Sequence, residues 1–169
     1  PGVRSNYTYR RQLSGGSVDW RYHMGGKVSN VKNQGTCGSC WAFAGIEQIE
    51  SDHAIQNGKV EVLSAQQITS CTYEPSRSGC NGGRAEDAID KAIRTGGVMH
   101  AREYPYLGHG TGCKFDGEKA VTRVVGIKFR CPRSGGCGTE DSMLEKIQDA
   151  PMTIAIDAGA YSGYKGGII

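Results

Sequence analysis

A chain of 169 residues with a formal charge of +3 is long enough for one domain, or a domain and part of another, and too weakly charged to imply a nucleic-acid partner. No lysine or arginine run supports such a partner, and no apolar stretch approaches the roughly 18 residues of a membrane span. The 26 glycines follow no period, which excludes collagen-like and low-complexity chains and implies many tight turns or close backbone approaches.

Residues 1–17 contain several polar and basic side chains, end in Ser14-Gly15-Gly16-Ser17, and read as a leader or extended N-terminal segment. No signal-peptide pattern opens them. Asn6-Tyr7-Thr8 is a glycosylation sequon, which favours a secretory route. Val18-Asp19-Trp20 marks the entry to the folded body, and residues 32–36 form a loop. The first helix is expected from Ser39 to Gln56. Ser39 suits an N-cap, Trp41, Ala44, Ile46, Ile49 and His53 keep to one side, and Asn57-Gly58 suits a C-cap. Ser64-Ala65-Gln66-Gln67 has the form of a capping box opening a second helix. A third helix spans Arg84 to Thr95 and stops at Gly96-Gly97.

Beyond residue 120 the pattern changes. Val121–Phe129 and Met152–Ile156 alternate and are β-branched, as strands are, with a helix at Glu140–Gln148 between them and Pro151 at its exit. The chain therefore reads as α+β: a leader (1–17), a mainly helical part (18–128) and a β-rich part (129–169).

The chemistry concentrates at Gln34-Gly35-Thr36-Cys37-Gly38-Ser39-Cys40-Trp41. The nucleophilic form of cysteine is the thiolate, and Cys40 falls in the first turn of the expected helix, where open N–H groups and the helix dipole favour negative charge. Gly38 has no side chain, so a substrate backbone can approach. Gln34, folded back by the Gly35 turn, can offer its amide N–H to an oxyanion beside the Cys40 N–H. The chain has seven cysteines: Cys37, Cys40, Cys71, Cys80, Cys113, Cys131 and Cys137. An odd number leaves one thiol over in an oxidising compartment, either as an intermolecular link or as a reactive group; buried free cysteines of a cytosolic protein are the alternative. A CxxC can also be a redox pair, a zinc site or a local disulfide. Here no buried strand precedes it, no second CxxC or paired histidine stands at ligand spacing, and the helix start disfavours a Cys37–Cys40 bond. No metal or cofactor is expected.

The segment Cys37-Gly38-Ser39-Cys40-Trp41 resembles the signature of the papain-like cysteine peptidases, of the cathepsin L type. VDWR (18–21), VKNQG (31–35), CNGG (80–83), EYPY (103–106) and YKGGI (164–168) follow in the family's order, so the resemblance covers residue 18 to the end. It implies a two-lobe fold, one lobe helical and one β-barrel-like, the latter incomplete here. It implies Cys40 as nucleophile, Gln34 as oxyanion donor, Gly38 as cleft lining, Gly82 and Gly83 as binders of extended substrate backbone, and Ala155 as a wall of an apolar second subsite. It also implies disulfides Cys37–Cys80 and Cys71–Cys113. Cys131 and Cys137 have no family counterpart and are expected to pair with each other.

Departures accompany the match. Ala44 replaces a usual Ser, Ala65 a Glu and Ser70 an Asp. Arg84 replaces an aromatic where the second subsite begins, and is expected to alter substrate preference. No His-bearing insertion follows Cys80, which disfavours the cathepsin B type. The resemblance places the general-base His about 130–150 residues after the nucleophile, from near residue 170 onward. His23, His53, His100 and His109 match no catalytic position, and the family's Asn has no match either. The implied function is a lysosomal or secreted cysteine endopeptidase acting on peptides and proteins, met by a propeptide or protein inhibitors and by the remaining part of the fold, whether in the same chain or a separate one. The alternative is a catalytically incomplete relative that binds or builds.

Overall fold

In the computed structural model, which describes residues 17–72, 79–126, 140–161 and 163–165, one long helix organises everything else. This helix, α1 (Cys40–Asn57), has buried side chains on more than one face: Trp41, Ala42, Ile46, Ile49, Glu50, Ser51 and Ala54. Ala44 and His53, expected on the inner side, are only half-buried. Gly58 ends the helix in the left-handed conformation, its N–H bonded to the Ala54 carbonyl (2.9 Å).

Helix α2 (Ala65–Cys71) and helix α3 (Ala85–Thr95) pack on α1. Together they enclose a core of Trp41, Ile46, Ile49, Leu63, Ile68, Ile89 and Val98. Gly45 sets the α1–α3 distance: a Cβ there would lie 2.5 Å from the Ala88 Cβ and 2.7 Å from the Ala85 carbonyl oxygen. Two short strands, β1 (Val98–Met99) and β2 (Ala120–Thr122), pair antiparallel beside the helices. The last described α-helix is α4 (Glu140–Ile147), and the Trp20 indole N–H donates to the Ile147 carbonyl (2.7 Å), tying the start of the body to it.

The capping box forms by half. Ser64 Oγ accepts from the Gln67 N–H (2.9 Å). The Gln67 side chain does not return to Ser64; it donates to the Gly97 carbonyl (2.9 Å) and accepts from the Met99 N–H (2.8 Å), while the Ser64 N–H bonds to the Met99 carbonyl (2.9 Å). Met152–Ile156, expected as a strand, is not in a ladder among the described residues, and Ile154 and Ile156 are exposed. Its alternation suits a pleated surface, but a strand needs a paired neighbour to exist. Of the other expected strand, β2 accounts for Val121 and Thr122; residues 127–129 lie outside the described residues, as do Asn6, Cys131 and Cys137.

Glu50 is a fully buried carboxylate on α1, and it is satisfied three times: by Ser29 Oγ (2.5 Å), Lys32 Nζ (2.7 Å) and the Leu63 N–H (2.8 Å). It joins α1 to the segment before it and to the entry of α2. Removing one partner of a buried pair typically costs about 3–5 kcal/mol. Glu50→Ala is expected to lose stability on that scale in urea unfolding; a loss under about 1 kcal/mol would show the pair to be dispensable. Gly45→Ala sets two effects against each other. Alanine gains about 1 kcal/mol of helix propensity, and overpacking costs about 1–3 kcal/mol. Since one of the two blocking atoms is backbone, the cost is expected to win and the melting temperature to fall; an unchanged or higher value would show that α1 and α3 separate freely.

Candidate active site

The loop 33–39 is built by local hydrogen bonds. Asn33 Oδ1 accepts from the Gly35 N–H (2.8 Å), and Gly35 takes the left-handed conformation (φ 62°) that reverses the chain. Gln34 Nε2 donates to the Cys37 carbonyl (2.8 Å), which leaves the second hydrogen of the amide for another acceptor.

Gly38 is placed by a backbone clamp. The Gly38 N–H donates to the Cys80 carbonyl (3.1 Å), and the Gly82 N–H donates to the Gly38 carbonyl (3.1 Å), in a parallel bridge between Gly38 and Asn81. The Cys80 carbonyl oxygen stands where a Gly38 Cβ would be. The sequence requirement at this position is therefore the neighbouring chain, whatever passes on the open side. The Cys37–Cys80 disulfide closes the same junction (Cα–Cα 4.7 Å), and Cys71–Cys113 ties the end of α2 to the segment between β1 and β2 (Cα–Cα 4.5 Å). Beyond Cys80, Gly82 has φ 88° and Gly83 lies against the Trp41 ring, where a Cβ would come within 2.5 Å of the indole. The indole N–H donates to the Gly79 carbonyl (3.3 Å). Thus Gln34, Cys37, Gly38, Cys80, Gly82 and Gly83 meet around the start of α1.

Cys40 is the first residue of α1, exposed, and the free cysteine among the described residues. Ser39 holds the N-cap position but makes no side-chain cap, contrary to expectation. It is fully buried, and its hydroxyl is 2.6 Å from the Tyr106 hydroxyl instead. Arg84 caps the start of α3 by position and pairs with Glu86. Ala155 is exposed on a segment that runs beside the Cys40 face of α1: Thr153 Oγ1 donates to the Ala44 carbonyl (3.0 Å), the Thr153 N–H donates to Gln48 Oε1 (2.9 Å), and Gln48 Nε2 donates to the Pro151 carbonyl (3.1 Å). Cys40, Ala44 and Gln48 are spaced four apart on one helix face.

The four histidines have partners elsewhere. His23 packs edge-on against Trp20, His53 Nδ1 is 3.2 Å from Asn57 Nδ2, His100 Nδ1 is 3.7 Å from Glu61, and His109 Nδ1 is 3.1 Å from the Gly110 carbonyl. Glu61 itself is held below the ordinary carboxylate range by its hydrogen bond from Lys59. Among the described residues no group of three His, Cys, Asp or Glu could hold a metal, and no helix is long and apolar enough to cross a membrane. Sequence reasoning missed Tyr106. EYPY stood out as a landmark, but nothing local reveals that its last residue bonds to Gln34, 72 positions away. Chemically, the arrangement presents an exposed thiol at a helix start, with an amide donor latched on the adjoining loop.

Residues 15–169 match the family described as papain family cysteine protease. The probable cysteine protease RD19B of Arabidopsis thaliana is 38% identical over 158 residues, covering 89% of this chain and 42% of that protein. Stem bromelain of Ananas comosus is 39% identical over 153 residues, covering 90% of this chain and 68% of that one. Digestive procathepsin L 3 of the Tenebrio molitor larval midgut superposes with a TM-score of 0.65 at 32% identity, over 78% of this chain and 40% of that one. The chain spans about two fifths of the length of several curated relatives that it matches, 42% and 40% in two of them. A family match over nearly the whole chain, relatives of this identity and a papain-like neighbour in structure agree: the chain belongs to the papain family of cysteine proteases.

Proposed function

We propose that this chain is the nucleophile-bearing part of a cysteine endopeptidase, with Cys40 as nucleophile and Gln34 with the Cys40 N–H as oxyanion donors. The observation that carries the reading is Cys40 itself: cysteines 37, 71, 80 and 113 are bonded in pairs, and Cys40 stands free and exposed at the first position of α1. In the proposed reaction the Cys40 thiolate attacks the peptide carbonyl carbon. The carbonyl oxygen becomes an oxyanion held by the N–H donors, the C–N bond breaks, and the amine leaves with a proton. Water then cleaves the thioester, releasing the acid and restoring the thiol. A histidine outside residues 1–169 is proposed to supply the proton and the pairing charge.

Gly82 and Gly83 are proposed to bind extended substrate backbone, and Gly38 to line the cleft on the side away from Cys80. Ala155 is proposed as the small wall of an apolar second subsite, with Arg84 at its rim. A lysosomal or secreted setting, with the segments 18–128 and 129–169 as parts of two lobes, suits a chain with two disulfides among its described residues, since such bonds persist in oxidising compartments. A propeptide partner is proposed because the structural neighbour reported above, the Tenebrio molitor enzyme, is a procathepsin.

The full-length protein is expected to hydrolyse denatured protein substrates, and Cys40→Ser to lose activity by at least about a thousandfold. Absence of hydrolysis, with Cys40 alkylated by iodoacetamide no faster than free cysteine, would favour the binding or structural alternative. Within residues 1–169, a native thiol titration read by peptide mapping is expected to find one reactive cysteine, Cys40. Three would refute the proposed Cys131–Cys137 pair, and none would refute the free nucleophile. In a substrate library, Leu or Phe is expected at the residue before the one whose carbonyl is attacked, and Arg84→Ala is expected to reduce tolerance for an acidic residue there. A preference for Arg at that position would overturn the apolar subsite.

A further inference from the structure

We infer that Tyr106 is a positioning residue for this site: its hydroxyl ties the Gln34 loop to the residue before Cys40 and keeps the Ser39 side chain off the start of α1. The inference rests on the catalytic reading above and adds a residue to it.

Proton accounting sets the direction of the bonds. The Gln34 carbonyl can only accept, so the Tyr106 hydroxyl donates to it (2.9 Å). A phenol has one hydrogen, and it is now spent. The 2.6 Å contact with Ser39 must then run from the Ser39 hydroxyl to Tyr106 Oη. The chain of donors is Ser39 to Tyr106 to Gln34. The ring is fixed by an edge contact with Phe43 on the first turn of α1 (centroids 4.8 Å apart, 73° between planes). Its backbone is anchored on both sides to the α2 region. Ser64 Oγ donates to the Tyr104 carbonyl (2.7 Å), and the Leu107 N–H donates to the buried Gln66 Oε1 (2.7 Å). The phenol therefore reaches the nucleophile loop from a segment that loop does not itself position.

Two consequences meet at Cys40. The loop that carries the Gln34 amide is held against the helix start. The Ser39 hydroxyl, aimed at Tyr106, does not cap α1, so it stays bonded to the network that holds the Gln34 loop instead of turning to the helix N–H groups. Removing only the phenol oxygen, in Tyr106→Phe, undoes both. Gln34 loses a donor on its carbonyl, and Ser39 is free to turn back and cap the helix. Because the recovered cap offsets the lost bonds, stability should change little while turnover suffers.

The test is a kinetic cycle in the full-length protein: wild type, Y106F, Q34A and Y106F/Q34A, each with kcat, KM and melting temperature. Y106F is expected to lower kcat about tenfold, with KM within about twofold and little change in melting temperature. The double variant is expected to be no slower than Q34A alone, because Tyr106 acts through Gln34. Should Y106F fail to fold, Ser39→Ala breaks the same link from its other end and is expected to lower kcat with KM unchanged; a normal kcat there overturns the inference. Full kcat in Y106F, or losses that add in the double variant, overturn it and leave the catalytic reading standing. A wild type that neither cleaves peptides nor binds a peptide aldehyde overturns the catalytic reading, and this inference with it.

Discussion

The structure depends on one backbone contact: the Cys80 carbonyl oxygen occupies the space of a Gly38 Cβ, two residues before the free thiol. Only glycine permits that approach. The two hydrogen bonds of the clamp and the Cys37–Cys80 disulfide then hold segments 43 positions apart in sequence. In the chain-entropy account, closing a loop of that length stabilises by about 4 kcal/mol, by restricting the unfolded chain. The clamp also sets direction. With Gly38 bonded to Cys80 and Gly82, Gly83 falls against the Trp41 ring, Arg84 starts α3, and α3 meets α1 at the Gly45 notch. The position of Cys40 and the packing of the helical core are consequences of the same junction.

Much of this was legible because its causes are local. Gly58 and Gly96 take the left-handed conformation that ends α1 and α3 where their sequence suggests. Ser64 caps α2 as its spacing suggests, since the bond spans three residues. What was not legible is set by partners far along the chain. Ser39 is a good N-cap by type, but a phenol 67 positions away takes its hydroxyl. Gly38 looked like room for a substrate, and the structure shows the room filled from one side by Cys80. Met152–Ile156 has the alternation of a strand, yet alternation describes a face and does not provide a neighbour to pair with.

The same contrast explains why this helical region keeps polar side chains in its core. Glu50, Gln66 and Gln67 are all fully buried, an expensive choice unless each polar atom finds a partner. The partners are largely the backbones of loops. Glu50 takes the Leu63 N–H; Gln66 takes the Leu107 N–H and gives to the His109 carbonyl (2.8 Å); Gln67 takes the Met99 N–H and gives to the Gly97 carbonyl. With only a two-stranded sheet among the described residues, these loops have few ladders to satisfy their peptide groups. Side chains projecting from α1 and α2 serve in place of strands.

That substitution has a consequence for the site. A ladder fixes backbone by many weak equivalents, any of which can slip; a buried amide fixes it at one point, with donor and acceptor both specified. Gln66 sits under the segment that carries Tyr106, and the Tyr106 hydroxyl is in turn bonded to Ser39 and Gln34. Hydrogen bonds at either end of the Tyr106-Leu107 segment thus link a fully buried amide on α2 to the loop beside the thiol. Because each member has one geometry that satisfies it, and burial makes any other costly, the loop beside Cys40 is held in place before any substrate arrives. Such preorganisation is what the oxyanion donor proposed at Gln34 would need, since a donor that must first be moved into place stabilises the transition state less.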